Sequence, residues 1–415
     1  MPWENLLLVS NKTWTCFSFS HDRYIQAAAS LRECRNIEEM HFIIAQTMMK
    51  YSSHDDRSLY ARASHMCQAI ETIKQKIPHR SRFREQLLQA AQKATEAGAR
   101  PTALEYFTKC LALLQPNPWE EGAPDVYYGE TLLLYTKSAE ILWYQGNSDM
   151  AIELIQSVFA NARTAADRAS SWILQSQIFA QRGDSEEAMG SLKSSLSELG
   201  LEIRDSSWEQ CDKEYKMLRQ QLQSMDRNKL LGRAASVDQN IIAMGSVLLE
   251  TKNASFWSDA LLFYQMSLTT IQICLSQGTN VQMGLEYMHL AMISIGRFGE
   301  IPFGLEMYSI SQALLKRYGD ISNIARGSSI GTLFVAHLQS PIREHIPVLD
   351  EALEYSLRCG DRVLSLVCIG AVAFIRLSTG ENMATLENYC EYAPEEFPGW
   401  DDDLRGGNLI VAVRY

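Results

Sequence analysis

The sequence predicts an all-α protein built as a solenoid of stacked helical hairpins. One short turn is written three times, as GARPTA, GNSDMA and GDSEEA, beginning at Gly98, Gly146 and Gly183. Apolar residues recur at helical spacing on both sides of each copy, as in RFREQLLQAAQKATEA before the first and PTALEYFTKCLALL after it. Because no alternation of apolar and polar residues requires a sheet, helix pairs joined by tight turns are the simplest structure for these segments.

Each repeated turn has a glycine and a small residue in fixed places. The glycine supplies the left-handed backbone conformation that ends one helix, and the small residue lets the next helix approach the first closely. In the first copy, Pro101 also suits the first turn of a helix. A looser copy lies in ISIGRFGEIPFGLEM. The predicted turn residues are Gly98, Ala103, Gly146, Ala151, Gly183, Ala188, Gly299 and Gly304.

The hairpins resemble tetratricopeptide repeats, a family with a helical hairpin in each unit of about 34 residues. Each hairpin has a small residue before the turn, Gly at the turn, Ala after it, and a bulky apolar residue four positions further on. The resemblance implies a TPR-like α-solenoid in two parts, 61–200 and 251–395. Between them we expect a long polar helical connector at 201–250, and after them an acidic loop and truncated end at 396–415.

Residues 1–60 form a different unit. The segment CFSFSHDRYIQAAASL, followed by EEMHFIIAQTMMKY, resembles the end of the ATPase module in STAND-type signalling proteins. Onward segments, including HRSRFREQLLQAA and EAGARPTALEYFTKCLALLQPNPW, are similar to the helical region after that ATPase in large fungal hybrid histidine kinases. The resemblance implies a short winged-helix-like remnant before the solenoid, in which His21 would face nucleotide phosphates in a full-length relative. Alternatively, His21 and Asp22 simply begin a helix that Asp22 caps.

Composition limits the classes of partner. The chain has 415 residues, 46% of them hydrophobic and 21% charged, so it can bury a core and is not disordered overall. The formal charge of −11 disfavours nucleic acid and anionic membranes as partners. Nine scattered cysteines indicate reduced thiols in a cytoplasmic protein. The longest apolar run, VLSLVCIGAVAFI, is shorter than the roughly 20 residues that a membrane span needs, so it predicts a buried helix.

The catalytic motifs expected of an ATPase or a kinase are missing from the chain. There is no G-x-x-x-x-G-K-[ST] phosphate loop and no HRD or DFG motif, and REHIPVL around His345 lacks the spacing of a histidine-kinase phospho-acceptor. The sequence therefore predicts no enzyme activity, no catalytic residue and no cofactor. ATP binding is expected only in a full-length relative.

Three other patterns suggest sites but have simpler explanations. GSSIG at 327–331 fits the G-x-S-x-G motif around Ser329, but no strand precedes it and no Asp follows before the next histidines. The basic run KQKIPHRSRFR would suit a phosphate or an acidic partner, or else form a solvated helix face. His54, His65 and Cys67 lack a second ligand pair at zinc spacing, so no metal site is predicted.

The predicted function is a non-catalytic protein-interaction or relay scaffold, the helical-repeat segment of a sensor histidine kinase-like signalling protein. Its partners would be a protein, a peptide or neighbouring domains, because stacked hairpins form a continuous surface. The alternatives are a nucleotide-sensing, ATPase-associated switch that uses His21 and a serine hydrolase that uses Ser329. The chain ends on the apolar run NLIVAVRY, so we expect a fragment, an excised gene model or a degenerate paralogue.

Overall fold

The structure is a computed structural model, and it shows an all-α solenoid in which helical hairpins stack side by side. It describes residues 7–10, 16–19, 37–51, 55–256, 258–395, 397, 400–401 and 407–414. A short antiparallel pair of strands, β1 (Leu7–Ser10) and β2 (Cys16–Phe19), comes first, with Leu7 opposite Phe19 and Ser10 opposite Cys16. The sequence pattern did not reveal these strands, since four residues are too few for alternation to stand out.

Twenty α-helices occur among the described residues. The first ten are α1 (Ile37–Tyr51), α2 (Asp56–Cys67), α3 (Ile70–Lys76), α4 (Ser81–Glu96), α5 (Arg100–Ala112), α6 (Tyr128–Tyr144), α7 (Ser148–Asn161), α8 (Ala165–Arg182), α9 (Ser185–Glu198) and α10 (Trp208–Ser224). The second ten are α11 (Arg227–Leu231), α12 (Gln239–Ser255), α13 (Ala260–Gln277), α14 (Met283–Phe298), α15 (Ile301–Tyr318), α16 (Ile321–Phe334), α17 (Ile346–Cys359), α18 (Arg362–Ser378), α19 (Met383–Tyr392) and α20 (Asn408–Arg414). Two 3₁₀ turns, Ala336–Leu338 and Ile342–His345, connect α16 to α17.

Short polar side chains begin many of these helices. Thr164 and Asp167 form a capping box at α8, each side chain accepting the backbone N–H of the other residue. Asp carboxylates cap further helices by accepting backbone N–H groups of the first turn, as Asp320 does from Asn323 at 2.8 Å. Each such cap satisfies N–H groups that have no partner inside the helix, and it stabilises the helix by about 1 kcal/mol.

The repeated turn closes three hairpins in the first half of the chain: α4 with α5, α6 with α7, and α8 with α9. Gly98, Gly146 and Gly183 have φ of 74°, 84° and 88°. Ala103, Ala151 and Ala188 are buried where the second helix of each pair crosses the first. A left-handed residue is needed here because the chain must reverse within a few residues, and Gly adopts that conformation without a Cβ clash.

The α14–α15 hairpin uses the same turn with a closer helix crossing. Gly299 has φ of 65° and ends α14. Gly304 lies within α15, where a Cβ atom would collide with Ile295 of α14 and lie 3.1 Å from the Ala291 carbonyl oxygen. A further copy, not recognised in the sequence, joins α17 to α18: Gly360 has φ of 70°, and the buried Ser365 lies five positions later.

The segment predicted as a polar connector, 201–250, is packed into the array. In α10, Cys211, Tyr215, Leu218 and Leu222 form a buried stripe, and the Tyr215 ring stacks on Phe298 of α14 with 4.2 Å between centroids. The polar composition of α10 reflects its solvent-exposed side. Periodicity, rather than mean polarity, therefore identifies this helix as part of the core.

The carboxyl-terminal segment also packs against the array. The apolar run that was expected to end the chain forms α20, whose Ile410 and Val413 are buried in a cluster with Leu366 and Ile369 of α18. Helix α18 holds the long apolar run and has ten buried residues, in agreement with a core helix. Within the described ranges, no helix is both long and apolar enough to cross a bilayer.

Most of the amino-terminal unit lies outside the described residues. The winged-helix-like interpretation of residues 1–60 falls largely on positions that the structure does not describe, and His21 is among them. Helix α1 is described, and its Phe42 and Ala45 are buried in the same hydrophobic cluster as residues of α2, α4 and α5. Helix α1 is therefore attached to the first hairpins through a shared core.

Candidate interaction groove

A groove runs across three helices that are far apart in the chain. It lies between α8, α12 and the amino-terminal turns of α16, and the loop before α14 closes one side. Its polar lining comprises Ser246, Glu250, Asn253, Gln282, Asp320, Ser322, Asn323 and Arg326. Ile173 of α8 and Leu249 of α12 add apolar walls. We call this feature the inter-helix groove.

Helical spacing and a helix cap position these side chains. Ser246, Glu250 and Asn253 are spaced four and three residues apart, so they share one face of α12. Asp320 caps the amino terminus of α16, which holds Arg326 on that helix's second turn. Most of the side chains that line the groove therefore lie on helices, which hold them in place.

The single cation that lines the described groove is already paired. The Arg326 guanidinium donates to Asp361, the residue before α18. Asp361 is the main reason that the pKa of Arg326 is raised, and Glu250 also acts in that direction although burial opposes both. Arg326 thus links α16 to the start of α18, and it is only partly available to a ligand.

Two acceptor side chains of the groove, Glu250 and Gln282, are incompletely hydrogen-bonded. The only hydrogen bond described for the Glu250 carboxylate comes from the Asn253 amide, at a long 3.4 Å. The Gln282 side chain is 7% exposed; its Nε2 donates to Ser246 Oγ at 3.1 Å. Its Oε1 is buried and accepts no hydrogen bond from any described residue. A buried acceptor without a donor costs about 1–3 kcal/mol, so this oxygen favours a bound donor.

A buried charge cluster lies next to the groove, formed by Lys252, Glu286 and His289; we call it the Lys252 cluster. All three side chains are almost fully buried, and Lys252 and Glu286 form an ion pair between α12 and α14. His289 Nδ1 is 3.8 Å from Glu286 Oε2, beyond hydrogen-bonding distance. Glu286 Oε1 and His289 Nδ1 have no partner among the described residues.

Burial dominates the protonation of the Lys252 cluster. It lowers the pKa of Lys252 and of His289, because the charged form of each loses its hydration. For Glu286, burial acts to raise the pKa, but the nearby Lys252 ammonium and His289 outweigh it and hold the pKa below its usual value. Burial therefore disfavours the charged form of His289, whereas Lys252 favours the charged form of Glu286.

The basic run of the sequence supplies a second buried cluster. Arg84 is fully buried and donates to both Asp125 and Glu130, and we call these three residues the Arg84 cluster. It also donates to the Leu113 and Asp125 carbonyl oxygens. Asp125, with φ of 62°, accepts the backbone N–H groups of Arg80 and Ser81 at the start of α4. Arg84 is therefore committed to holding the loop 115–127, and it does not present a phosphate-binding face.

The G-x-S-x-G motif lies inside a helix. Ser329 is buried in the middle of α16, where its hydroxyl donates to the Ala325 carbonyl oxygen at 2.9 Å and lies 3.1 Å from Cys368 Sγ. A nucleophile elbow requires a strand, a sharp turn and an exposed hydroxyl. His345 ends a 3₁₀ turn and contacts Ser340 Oγ at 2.8 Å.

Two histidines near α2, His41 and His65, contact each other. His41 Nδ1 and His65 Nδ1 are 2.7 Å apart, joining α1 to α2, and burial followed by His41 lowers the pKa of His65. Cys67 is buried, which raises its pKa to about 12. His54 lies outside the described residues. In the part of the chain that is described, no three His, Cys, Asp or Glu side chains are placed to hold a metal ion.

No protein-family model matches the chain. A curated relative is the peroxide stress-activated histidine kinase mak3 of Schizosaccharomyces pombe, which is 26% identical over 195 residues. That alignment covers 46% of this chain and 8% of the relative, so the chain matches a small part of that kinase's length. Among solved structures, a STAND protein with a tetratricopeptide repeat sensor from Pyrococcus horikoshii aligns with a TM-score of 0.38 and 12% identity. The alignment covers 96% of this chain and 52% of that one.

Sequence patterns did not identify the residues of the inter-helix groove. The signal present was the spacing of Ser246, Glu250 and Asn253 within SVLLETKN. Lys252 lies between two of them and points into the core, where it pairs with Glu286. The turn residues, by contrast, lie at the hairpin tips and crossings, away from this groove.

Proposed function

We propose that this chain is a protein-interaction scaffold whose inter-helix groove binds an extended segment of a partner or of a neighbouring domain. The observation that carries the proposal is the incomplete hydrogen bonding of Glu250 and Gln282 in a groove walled by α8, α12 and α16. The lining side chains lie mostly on helices that are packed into the array, so the backbone of the groove needs little reorganisation on binding.

The histidine kinase relative supports a signalling context for the scaffold. We propose that the chain is the helical-repeat portion of a cytoplasmic sensor kinase-like protein, relaying contacts between other domains. On this proposal the chain itself performs no catalysis, and ATP is bound by other parts of a full-length relative. The buried position of Ser329 supports the absence of serine chemistry.

Selection of peptides from a random library tests the binding function directly. Random 12-residue peptides would be selected by display on the full chain, and the Kd of labelled binders measured by fluorescence anisotropy. Ser322, a half-buried residue of the groove, is then replaced by Trp so that the indole fills the groove. We expect S322W to weaken binding at least about tenfold, a loss of about 1.4 kcal/mol.

The matched control is S148W, which places the same indole on a half-buried serine in the first turn of α7, away from the groove. Its affinity should equal that of the unmodified chain, and circular dichroism should show both variants folded. The proposed function would be contradicted if the selection yields no binder, or if S322W leaves the Kd of every binder unchanged. Labelling of Ser329 by a fluorophosphonate probe would contradict its non-catalytic part.

A further inference from the structure

We propose that the inter-helix groove selects an arginine side chain of the bound segment and anchors it on the Glu250 carboxylate. This inference rests on the proposed function and names the chemistry of the partner. The basis is that some charged side chains of the groove already have an oppositely charged hydrogen-bond partner, whereas Glu250 does not.

The acidic groups of the groove keep capacity to accept. Glu250 forms no ion pair with any described residue, and its only described donor is the Asn253 amide at 3.4 Å. Asp320 accepts the Asn323 N–H through Oδ1, an arrangement that leaves Oδ2 for another donor. A half-buried carboxylate without a charged hydrogen-bond donor is stabilised when such a donor arrives.

The two nearby cations of the chain form their hydrogen bonds with other carboxylates. Arg326 attracts Glu250 electrostatically, but it donates to Asp361. Lys252 is two positions after Glu250, and because of the helical repeat its side chain points to the opposite side, where it pairs with buried Glu286. The groove therefore carries a local excess of negative charge.

A second observation points to a donor with more than one N–H group. The Gln282 side chain is more than nine-tenths buried, lines the groove and has an Oε1 atom without a donor. A guanidinium has five N–H donors in one plane, so it is suited to bond the Glu250 carboxylate and, once the buried Gln282 amide rotates toward the groove, the amide oxygen as well. The apolar side chains of Ile173 and Leu249 offer a surface for the aliphatic stem of an arginine.

The experiment uses a groove-binding peptide from the display selection, synthesised with each arginine in turn replaced by citrulline, its neutral isostere. Each peptide is measured against the unmodified chain, against E250Q and against E153Q. E153Q removes the same charge from an exposed glutamate on α7. Should E250Q fail to fold, E250D repeats the test with a retracted carboxylate.

We expect one citrulline substitution to weaken binding to the unmodified chain and to E153Q by about tenfold or more, the usual size for a charge-assisted hydrogen bond. Against E250Q the same substitution should change Kd by less than about threefold, because the anchoring charge is gone. Lysine in place of that arginine should bind with intermediate affinity.

The contrary results separate the two proposals. The arginine anchor is wrong if the binders sensitive to S322W contain no arginine. It is also wrong if citrulline weakens binding to E250Q as much as it weakens binding to the unmodified chain. In both cases the proposed function still stands. The absence of S322W-sensitive binders overturns both proposals.

Discussion

The two buried charge clusters of the chain differ in how completely their polar groups are bonded. In the Arg84 cluster, the guanidinium donates to two carboxylates and two backbone carbonyl oxygens, and Asp125 also accepts two backbone N–H groups. In the Lys252 cluster, Lys252 reaches Glu286 and, at 3.5 Å, Thr270, while Glu286 Oε1 and His289 Nδ1 have no described partner.

This difference shows that burial of charge has two distinct outcomes in one fold. A buried ion pair contributes to stability only when hydrogen bonds compensate for the lost hydration of both ions. The Arg84 cluster meets that condition and ties the 115–127 loop to α4. The Lys252 cluster meets it incompletely, and it joins α12 to α14 beside the inter-helix groove. The first cluster is therefore expected to be a structural clamp, and the second to reduce stability relative to an apolar core.

Removing the arginine of the Arg84 cluster should have one of the largest effects on stability. In R84M, Asp125 remains buried without its main partner, so we expect the free energy of unfolding to fall by about 3–5 kcal/mol. Urea unfolding followed by circular dichroism measures the change. The control is K137M, which removes an exposed ion pair with Glu140 and should change stability by less than about 1 kcal/mol. A loss in R84M as small as that in K137M would show that Arg84 is not a clamp.

Replacing both members of an ion pair should reveal the difference in stability contribution between the two clusters most clearly. K252M alone leaves Glu286 charged and buried, at a cost of about 3–5 kcal/mol, but K252M/E286L should recover stability to that of the unmodified chain or above. R84M/E130L should recover little, because the Leu113 carbonyl and Asp125 stay buried with fewer partners. Urea unfolding of all four variants gives the result. Equal recovery at both clusters would contradict the distinction drawn between them.

Helix crossings in the second half of the chain should tolerate less added volume than the turns of the first half. In G304A, the new methyl group collides with Ile295, so we expect a loss of about 1–3 kcal/mol. In G146A, no atom lies within 4 Å of the new methyl group, and only the left-handed backbone opposes it, at about 1 kcal/mol. Thermal unfolding ranks the two variants. A larger loss in G146A than in G304A would indicate that the α14–α15 crossing relaxes.

The pH dependence of stability should report on the Lys252 cluster. Because burial lowers the pKa of His289 below its ordinary value of 6.5, the unfolded chain binds a proton that the folded chain excludes. Stability should therefore fall as the pH drops below about 6.5, by up to about 1.4 kcal/mol per pH unit from this residue.

The variant H289Q should flatten that decline between pH 6.5 and 5.5, whereas H337Q, which changes an exposed histidine, should keep it. Urea unfolding at a series of pH values measures the slopes. His65, whose pKa is also lowered, contributes in the same direction, so H289Q should not abolish the decline completely. An unchanged slope in H289Q would show that His289 is hydrated or protonated in the folded chain.

The local features of this fold could be predicted from the sequence because their causes are local. Helical spacing of apolar residues predicted the helices, and glycines five residues before a small residue predicted the hairpins that the structure shows at Gly98, Gly146, Gly183 and Gly299. These signals depend on the conformation of a few neighbouring residues and on which side chains share a helix face. The all-α solenoid follows from them, since hairpins with one apolar side must stack.

Only the tertiary structure decided which polar groups meet. Lys252 and Glu286 are 34 residues apart, Arg84 and Asp125 are 41 apart, and the groove joins α8 to α16. Arg84 belonged to a run that looked like a solvated basic face, and residues 201–250 looked like a connector because their polar side dominates the composition. Such pairings depend on the angle and register at which distant helices pack, and one sequence read alone contains no signal for either.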